Sequence, residues 1–251
     1  MHDAQELKEQ ICEIGRRIYQ RGYVAANAGN ITCRLTEEEV LCTPTMISKG
    51  YMQPDDICLI DMMGKQLAGK RKRSSEALMH LEILKARPEV SCVVHCHPPH
   101  ATAFAIVGEP IPQAVMPEVE VFLGEVPITK YETPGGKQFA ATVLPFVHKT
   151  NIILLANHGT VSYGETPERA YWLTETLDSY CRVLILTRQL GPLRYLPPDK
   201  VEELLHEKQK MGIADPRHDA NFRGDQRANA MFGPLCAEYG VAPRAFLPPT
   251  D

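Results

Sequence analysis

Strands and helices interleave along this chain, which predicts a single α/β domain built around a central sheet. Two further observations support that class. Short apolar runs bounded by turn residues alternate with stretches of helical apolar spacing. No internal repeat, low-complexity tract or linker divides the 251 residues, a length that one large domain accommodates.

The elements follow in order. Leu7, Ile11, Ile14 and Ile18 fall at helical spacing, and Gly22 is placed to end that first helix. Strand-like runs come next at Ile31-Thr32-Cys33-Arg34, Val40-Leu41-Cys42 and Ile57-Cys58-Leu59-Ile60. A helix is expected over 75–86, stopping before Arg87-Pro88 because the residue ahead of proline disfavours helical geometry. Val93-Val94-His95-Cys96-His97 reads as a buried strand, followed by a helix through His100-Ala101-Thr102-Ala103-Phe104-Ala105. Residues 136–147 look helical, with Pro145 expected to end or bend them. Ile152-Ile153-Leu154-Leu155-Ala156-Asn157 is a second buried strand. Thr166-Pro167-Glu168 then supply a cap, an N1 proline and a first-turn acid for a helix reaching Leu190, ahead of Gly191. A last helix spans 199–211 and ends at Gly212. The domain is thus expected over 1–212. Residues 213–251, with Pro216, Pro234, Pro243, Pro248 and Pro249, read as a mostly irregular extension packed on the domain or on a neighbouring subunit.

Composition narrows the function. A hydrophobic content of 44% with 23% charged residues is that of a soluble globular protein. The formal net charge of -4 argues against nucleic acid as a partner. No apolar run approaches the ~20 residues of a membrane span. Met1-His2-Asp3-Ala4-Gln5-Glu6 is acidic and lacks the basic-then-apolar layout of a signal peptide. Among the eight cysteines, Cys12, Cys33, Cys42, Cys58, Cys92 and Cys96 mostly sit inside apolar stretches, and there is no C-x-x-C pair. They read as reduced thiols of a cytoplasmic protein.

The chemistry lies in the histidines. Strand alternation puts His95 and His97 on one face and Cys96 on the other. His158 stands at the end of the second apolar run, before Gly159. Any one of the three reads as an ordinary histidine near a strand end. As a set they make a three-nitrogen metal site with an open position, a pattern that suits zinc. A cupin would need a glutamate shortly after the H-x-H pair, where this chain has Pro98-Pro99-His100-Ala101-Thr102. His100 is the weaker candidate ligand, because the two prolines turn the chain away.

A carboxylate is wanted near such a metal, and Ser74-Ser75-Glu76 offers one at the start of a helix, where free N–H groups and the dipole favour an anion. Alone, that tripeptide is a helix cap. Asn27-Ala28-Gly29-Asn30 and the Thr43-to-Gly50 loop are further places where backbone and hydroxyl groups can meet an oxyanion. Alone, both are ordinary turns. Lys70-Arg71-Lys72-Arg73 reads as a solvated basic run that can also steer a phosphate ester.

Ala28-Gly29-Asn30, Thr43-Pro44-Thr45, Ser74-Ser75-Glu76, His95-Cys96-His97 and Asn157-His158-Gly159 together resemble the class II aldolase/adducin family in order and spacing. The nearest likeness is to its L-fuculose-1-phosphate aldolase-like enzymes, and it covers residues 5–212. The resemblance implies a three-layer α/β/α fold with a central, mainly antiparallel sheet. It implies zinc, or Co2+ or Mn2+, on Glu76, His95, His97 and His158, with Glu76 also carrying a proton in catalysis. It places a substrate phosphate on Gly29, Asn30, Thr45, Ser74 and Ser75, in a cytoplasmic homotetramer. The implied reaction is reversible cleavage of a ketose 1-phosphate to dihydroxyacetone phosphate and a short aldehyde. An epimerase, decarboxylase or dehydratase on the same scaffold is the enzymatic alternative. A non-enzymatic adducin-like scaffold would not need the ligands. One departure stands out: functional tyrosines of the aldolase align near Met116 and Met211, and methionine donates no proton. Glu118, Glu120, Tyr131 or the C-terminal extension are the replacements on offer.

Overall fold

The computed structural model describes residues 3–213, 215 and 217. Seven strands form the central sheet: β1 (Asn30–Arg34), β2 (Glu39–Cys42), β3 (Cys58–Asp61), β4 (Gln66–Ala68), β5 (Cys92–Cys96), β6 (Ile152–Leu155) and β7 (Gly159–Gly164). Their spatial order is β4-β3-β2-β1-β5-β7-β6, and every neighbouring pair is antiparallel. The helices are α1 (Ala4–Gln20), α2 (Ala77–Ala86), α3 (Pro99–Val107), α4 (Lys137–Ala141), α5 (Pro167–Leu190) and α6 (Pro198–Lys210).

Alternation along the strands sorts them into three layers. Val93, Val161 and Tyr163 face α2 and α4, packing with Leu81, Leu84 and Phe139. Val94 and Cys96 face the other way, onto Ile11 and Ile14 of α1 and Ala170 of α5. Phe104 of α3 and Leu177 and Leu184 of α5 complete that second face with Ile152 and Leu154. The single α/β domain and its antiparallel sheet are as the sequence led one to expect.

Several expectations need correction. The 136–147 helix stops at Ala141 and continues as turns to 149. Leu144 precedes proline and resists the helical basin, and Thr142 Oγ1 bonds back to the Phe139 carbonyl at 2.8 Å. The second helix starts at Ala77 rather than Ser75, with Glu76 as its N-cap residue. His97 lies one residue beyond β5. Strands β4 and β7 were not anticipated, nor was the single π-helical turn at Val119–Leu123. In β7 the polar residues Thr160 and Ser162 are fully buried, and Ser162 Oγ bonds the Ala170 carbonyl and Thr174 of α5.

All seven described cysteines are buried free thiols, as read from the sequence. Burial pushes Cys12 up to about 11 and Cys42 and Cys96 to about 12. Of the expected C-terminal extension only Ile213, Asp215 and Arg217 are described. Arg217 grips Asp215 through Nε (2.9 Å) and Nη2 (2.8 Å) and Glu120 through Nη1 (2.7 Å), and Lys208 reaches Asp215 at 2.8 Å. This buried cluster holds the end of the described chain against the π-helical turn. No described helix is long and apolar enough to cross a membrane.

Candidate metal centre and anion pocket

The site forms at one end of β5 and β7. β5 presents His95, and the residue just past its end presents His97. The β6–β7 hairpin turn delivers His158. Asn157 sits in the left-handed region at φ 55°, and Gly159 follows where a Cβ would lie 2.5 Å from the Cys96 carbonyl and 2.6 Å from the His97 ring. Only glycine lets the hairpin close onto β5 this tightly.

Three histidine donors cluster, and the Glu76 carboxylate abuts two of them. His95 Nε2 and His97 Nε2 are 3.1 Å apart, His95 Nε2 and Glu76 Oε2 3.3 Å, and His158 Nε2 and Glu76 Oε1 3.4 Å. A four-coordinate ion with bonds of ~2.0–2.1 Å sets its donors about 3.3 Å apart. His95 Nδ1 lies 2.8 Å from the Thr160 carbonyl, which can only accept, so the ring proton is on Nδ1 and Nε2 keeps its lone pair. That lone pair faces a carboxylate oxygen, an arrangement that a cation between them stabilises. Burial, then the neighbouring histidines, drive His95 well below its ordinary value. Burial brings His97 down to about 4 and also lowers His158, against the pull of Glu76. All three rings are therefore neutral near pH 7, the form in which imidazole binds metal. The residues fit a divalent ion.

Glu76 is held from the side by Asn30, whose Nδ2 donates to Oε2 at 2.7 Å. Asn30 is buried, and its side-chain oxygen has no hydrogen-bond partner among the described residues. The other anion-site candidates lie on loops that are knitted together. Thr45 N donates to the Lys72 carbonyl at 2.9 Å and Ser74 N to the Thr43 carbonyl at 3.1 Å. Lys49 Nζ ties the Asn27 carbonyl (3.2 Å) to that of Ile47 (2.8 Å), and burial pushes its pKa down to about 8. Gly29, at φ 75°, passes so close to β5 that a Cβ would stand 3.0 Å from the His95 carbonyl. Ser74 is buried, with its Oγ accepting from Glu76 N at 3.3 Å, and Ser75 is exposed. Three of the four described non-glycine residues with positive φ, Ala26, Met46 and Asn157, border these loops. Such conformations cost ~1–3 kcal/mol each and gather at working sites.

Other residues named from the sequence go elsewhere. His100 bonds Asp178 of α5 through Nδ1 at 3.0 Å, and Asp178 also caps α3 by accepting from His100 N and Ala101 N. Lys70 and Arg71 pair with Asp55 and Asp56, and Arg73 donates to the Gly64 and Ser74 carbonyls. Glu120 is taken up by Arg217 and by the Ala114 amide. Met116 packs into the apolar cluster beneath α3 and α5. Met211 lines a cavity with Arg87 and Trp172 at the opposite end of β5 and β7. Tyr131 is exposed on a segment that leaves Thr129, bonded to the Leu154 carbonyl and the Ala156 amide, and reaches Gly135, where a Cβ would lie 3.9 Å from the Ser75 side chain. The loop carrying Tyr131 thus runs from the strand that feeds His158 to the serines. Sequence reasoning missed the Asn30–Glu76 bond and the bracing role of Lys49.

A three-layer sandwich with this histidine and carboxylate set defines a class, and the comparisons agree. Residues 9–185 match the profile of the Class II Aldolase and Adducin N-terminal domain, and the chain belongs to that family. It is 33% identical over 201 residues to the 3-oxo-tetronate 4-phosphate decarboxylase of Haemophilus influenzae, covering 78% of this chain and 95% of the relative. It is also 33% identical over 180 residues to the L-fuculose phosphate aldolase of Methanococcus vannielii, covering 71% and 94%. Among solved structures, YgbL of Klebsiella pneumoniae superposes with a TM-score of 0.75 at 31% identity, covering 81% of this chain and all (100%) of that one. The chain is therefore a class II aldolase superfamily member, with sugar-phosphate aldolases and decarboxylases among its relatives.

Proposed function

We propose that this protein is a zinc-dependent lyase that reversibly cleaves a ketose 1-phosphate, L-fuculose-1-phosphate-like, into dihydroxyacetone phosphate and a short aldehyde. The observation that carries the reading is the convergence of His95, His97 and His158 on the Glu76 carboxylate, directly after two serines. A divalent ion held there (zinc, or Co2+ or Mn2+) supplies Lewis-acid stabilisation for negative charge developing on the donor's oxygens.

The side chains do the rest. Ser74, Ser75, Thr45 and the Gly29 loop, at the N-terminal end of α2, anchor the phosphate and so fix the donor's register. In cleavage Tyr131, starting as the phenolate that the condensation direction leaves, takes the proton of the hydroxyl on the departing aldehyde carbon and becomes the phenol. The carbon–carbon bond breaks, and Glu76 delivers a proton to the donor carbon left behind. In condensation both protons travel the other way. Asn30 aims the Glu76 carboxylate while it does so. The homotetrameric assembly and cytoplasmic location implied by the family likeness belong to the same proposal.

Decarboxylation of a 3-oxo sugar-acid phosphate is the second reading. A 3-oxo acid loses carbon dioxide without a proton acceptor at the leaving group, so this reading needs no counterpart of the aldolase tyrosines, whose aligned residues Met116 and Met211 lie away from the histidines. The name of the Haemophilus relative points the same way. One experiment separates the two. Zinc-loaded protein is assayed for condensation of dihydroxyacetone phosphate with short aldehydes, and for carbon dioxide release from a 3-oxo-tetronate 4-phosphate. Chelation is expected to abolish turnover. Tyr131→Phe is expected to lower condensation by ~10²-fold or more, as loss of an acid–base group does. Full activity in metal-free protein overturns both readings, and carbon dioxide release untouched by Tyr131→Phe in an enzyme without condensation activity selects the second.

A further inference from the structure

β1 and α2 meet across a polar seam behind the ligands. Asn30 and Thr32 are two apart on β1 and share a face, and Glu76 and His80 are four apart at the start of α2 and share a side. Two rungs join them: Asn30 Nδ2 to Glu76 Oε2 at 2.7 Å, and Thr32 Oγ1 to His80 Nδ1 at 2.8 Å. Thr32 and His80 are fully buried and Asn30 nearly so. Two atoms of this seam, Asn30 Oδ1 and His80 Nε2, are buried with no hydrogen-bond partner among the described residues. Leaving such groups unmet costs about 1–3 kcal/mol each, so a buried histidine nitrogen of this kind calls for a use.

Burial, reinforced by His95, brings His80 down to about 3, and its ring is neutral with a single N–H. The Thr32 hydroxyl can donate to Nδ1. The groups that remain on this seam, Asn30 Oδ1 and the Glu76 carboxylate, are acceptors. When Thr32 donates to Nδ1, the ring proton is on Nε2.

We propose that His80 is a positioning residue for Glu76, its Nε2–H being the station that receives the carboxylate when it leaves the three histidines. This rests on the reading above, in which Glu76 moves a proton and must therefore swing. On Asn30 alone the carboxylate stays beside His95 and His158. With His80 it has a second buried donor, one helical turn on, to which it can retreat and return.

The test pairs two variants. The amide oxygen of His80→Asn falls where Nδ1 was, accepting from the Thr32 hydroxyl, while Nε2 is removed. The amide nitrogen of His80→Gln reaches where Nε2 was. Zinc affinity, measured with no donor present by competition against a chromophoric chelator, is expected to rise about threefold or more in His80→Asn, because the carboxylate stays with the ligands, and to stay at the wild-type level in His80→Gln. With donor, exchange of its carbon-bound proton with solvent deuterium is expected to fall about tenfold or more in His80→Asn at unchanged KM, with recovery in His80→Gln. Thr32→Val, which unsets the tautomer, reads the same zinc shift should His80→Asn not fold. Unchanged zinc affinity in both His80→Asn and Thr32→Val, or equal losses in His80→Asn and His80→Gln, overturns the proposal. A zinc shift in a protein that exchanges no donor proton keeps His80's role and removes the lyase reading.

Discussion

The two ends of β5 and β7 make an instructive pair. At one end His95, His97, His158 and Glu76 crowd together, with bare acceptor atoms facing one another and strained backbone alongside. At the other lies a cavity of about 740 Å³, lined by Arg87, Tyr163, Arg169 and Trp172. Its volume is generous, yet Arg87 and Tyr163 within it are already satisfied. Arg87 donates to the Val147 carbonyl, Asn151 and Glu89, and the Tyr163 hydroxyl donates to the Thr150 carbonyl at 2.6 Å. What distinguishes a working site here is unmatched polarity, not space.

The contrast can be broken at three points. The largest effect is expected at Glu76. Glu76→Gln preserves the shape and the bond to Asn30 through its remaining oxygen, and should cost ~10²–10⁴-fold in turnover, the usual worth of a general acid–base group. Thermal melts should show the fold intact. Wild-type exchange of the donor proton in that variant would assign the base elsewhere.

Next comes Ser75→Ala. Losing one charge-assisted hydrogen bond should raise KM for a phosphorylated donor about tenfold. An unphosphorylated donor should respond little, which makes the two donors an internal control. Equal changes with both would reduce Ser75 to part of a helix start. The smallest effect is expected at the far end, where Trp172→Ala should alter kcat/KM by less than about twofold, as for surface changes remote from a site. A larger drop would mean that the cavity takes part, and the comparison of the two ends would fail.

How much of this was legible beforehand depended on how far each feature is local. The H-x-H pair stood out because two polar rings interrupt a valine-rich run with period two, and strand geometry alone brings them together. The first helix and the His95 strand followed from periodicities that agree with burial at Leu7, Ile11, Val93 and Val94, whereas the three layers came from the family likeness. β7 was hidden because Thr160 and Ser162 look solvent-facing, whereas Thr160 bonds Cys96 of β5 and Ser162 bonds Ala170 and Thr174 of α5, all distant in the chain or on another element. The bond from Asn30 to Glu76 was hidden for a similar reason. Beside Gly29, Asn30 reads as part of an anion-binding turn, and its register opposite His95 turns it toward Glu76. The end of α4 at Ala141 reflects Pro145 acting through Leu144, which the helical spacing of 136–147 outweighed on paper.

The buried thiols have a practical consequence. Raised to about 11, Cys12 exposes roughly one thiolate in ten thousand molecules at pH 7, and folded structure screens even that. Cys12 lies in α1, Cys33, Cys42 and Cys58 in the first three strands, Cys92 and Cys96 in β5, and Cys181 in α5. Each becomes reactive only when its own neighbourhood opens. Alkylation read out by peptide mass would therefore time the loosening of the helical layer and the sheet separately in one unmodified sample. The molecule comes with its own set of stopwatches, already distributed through its core.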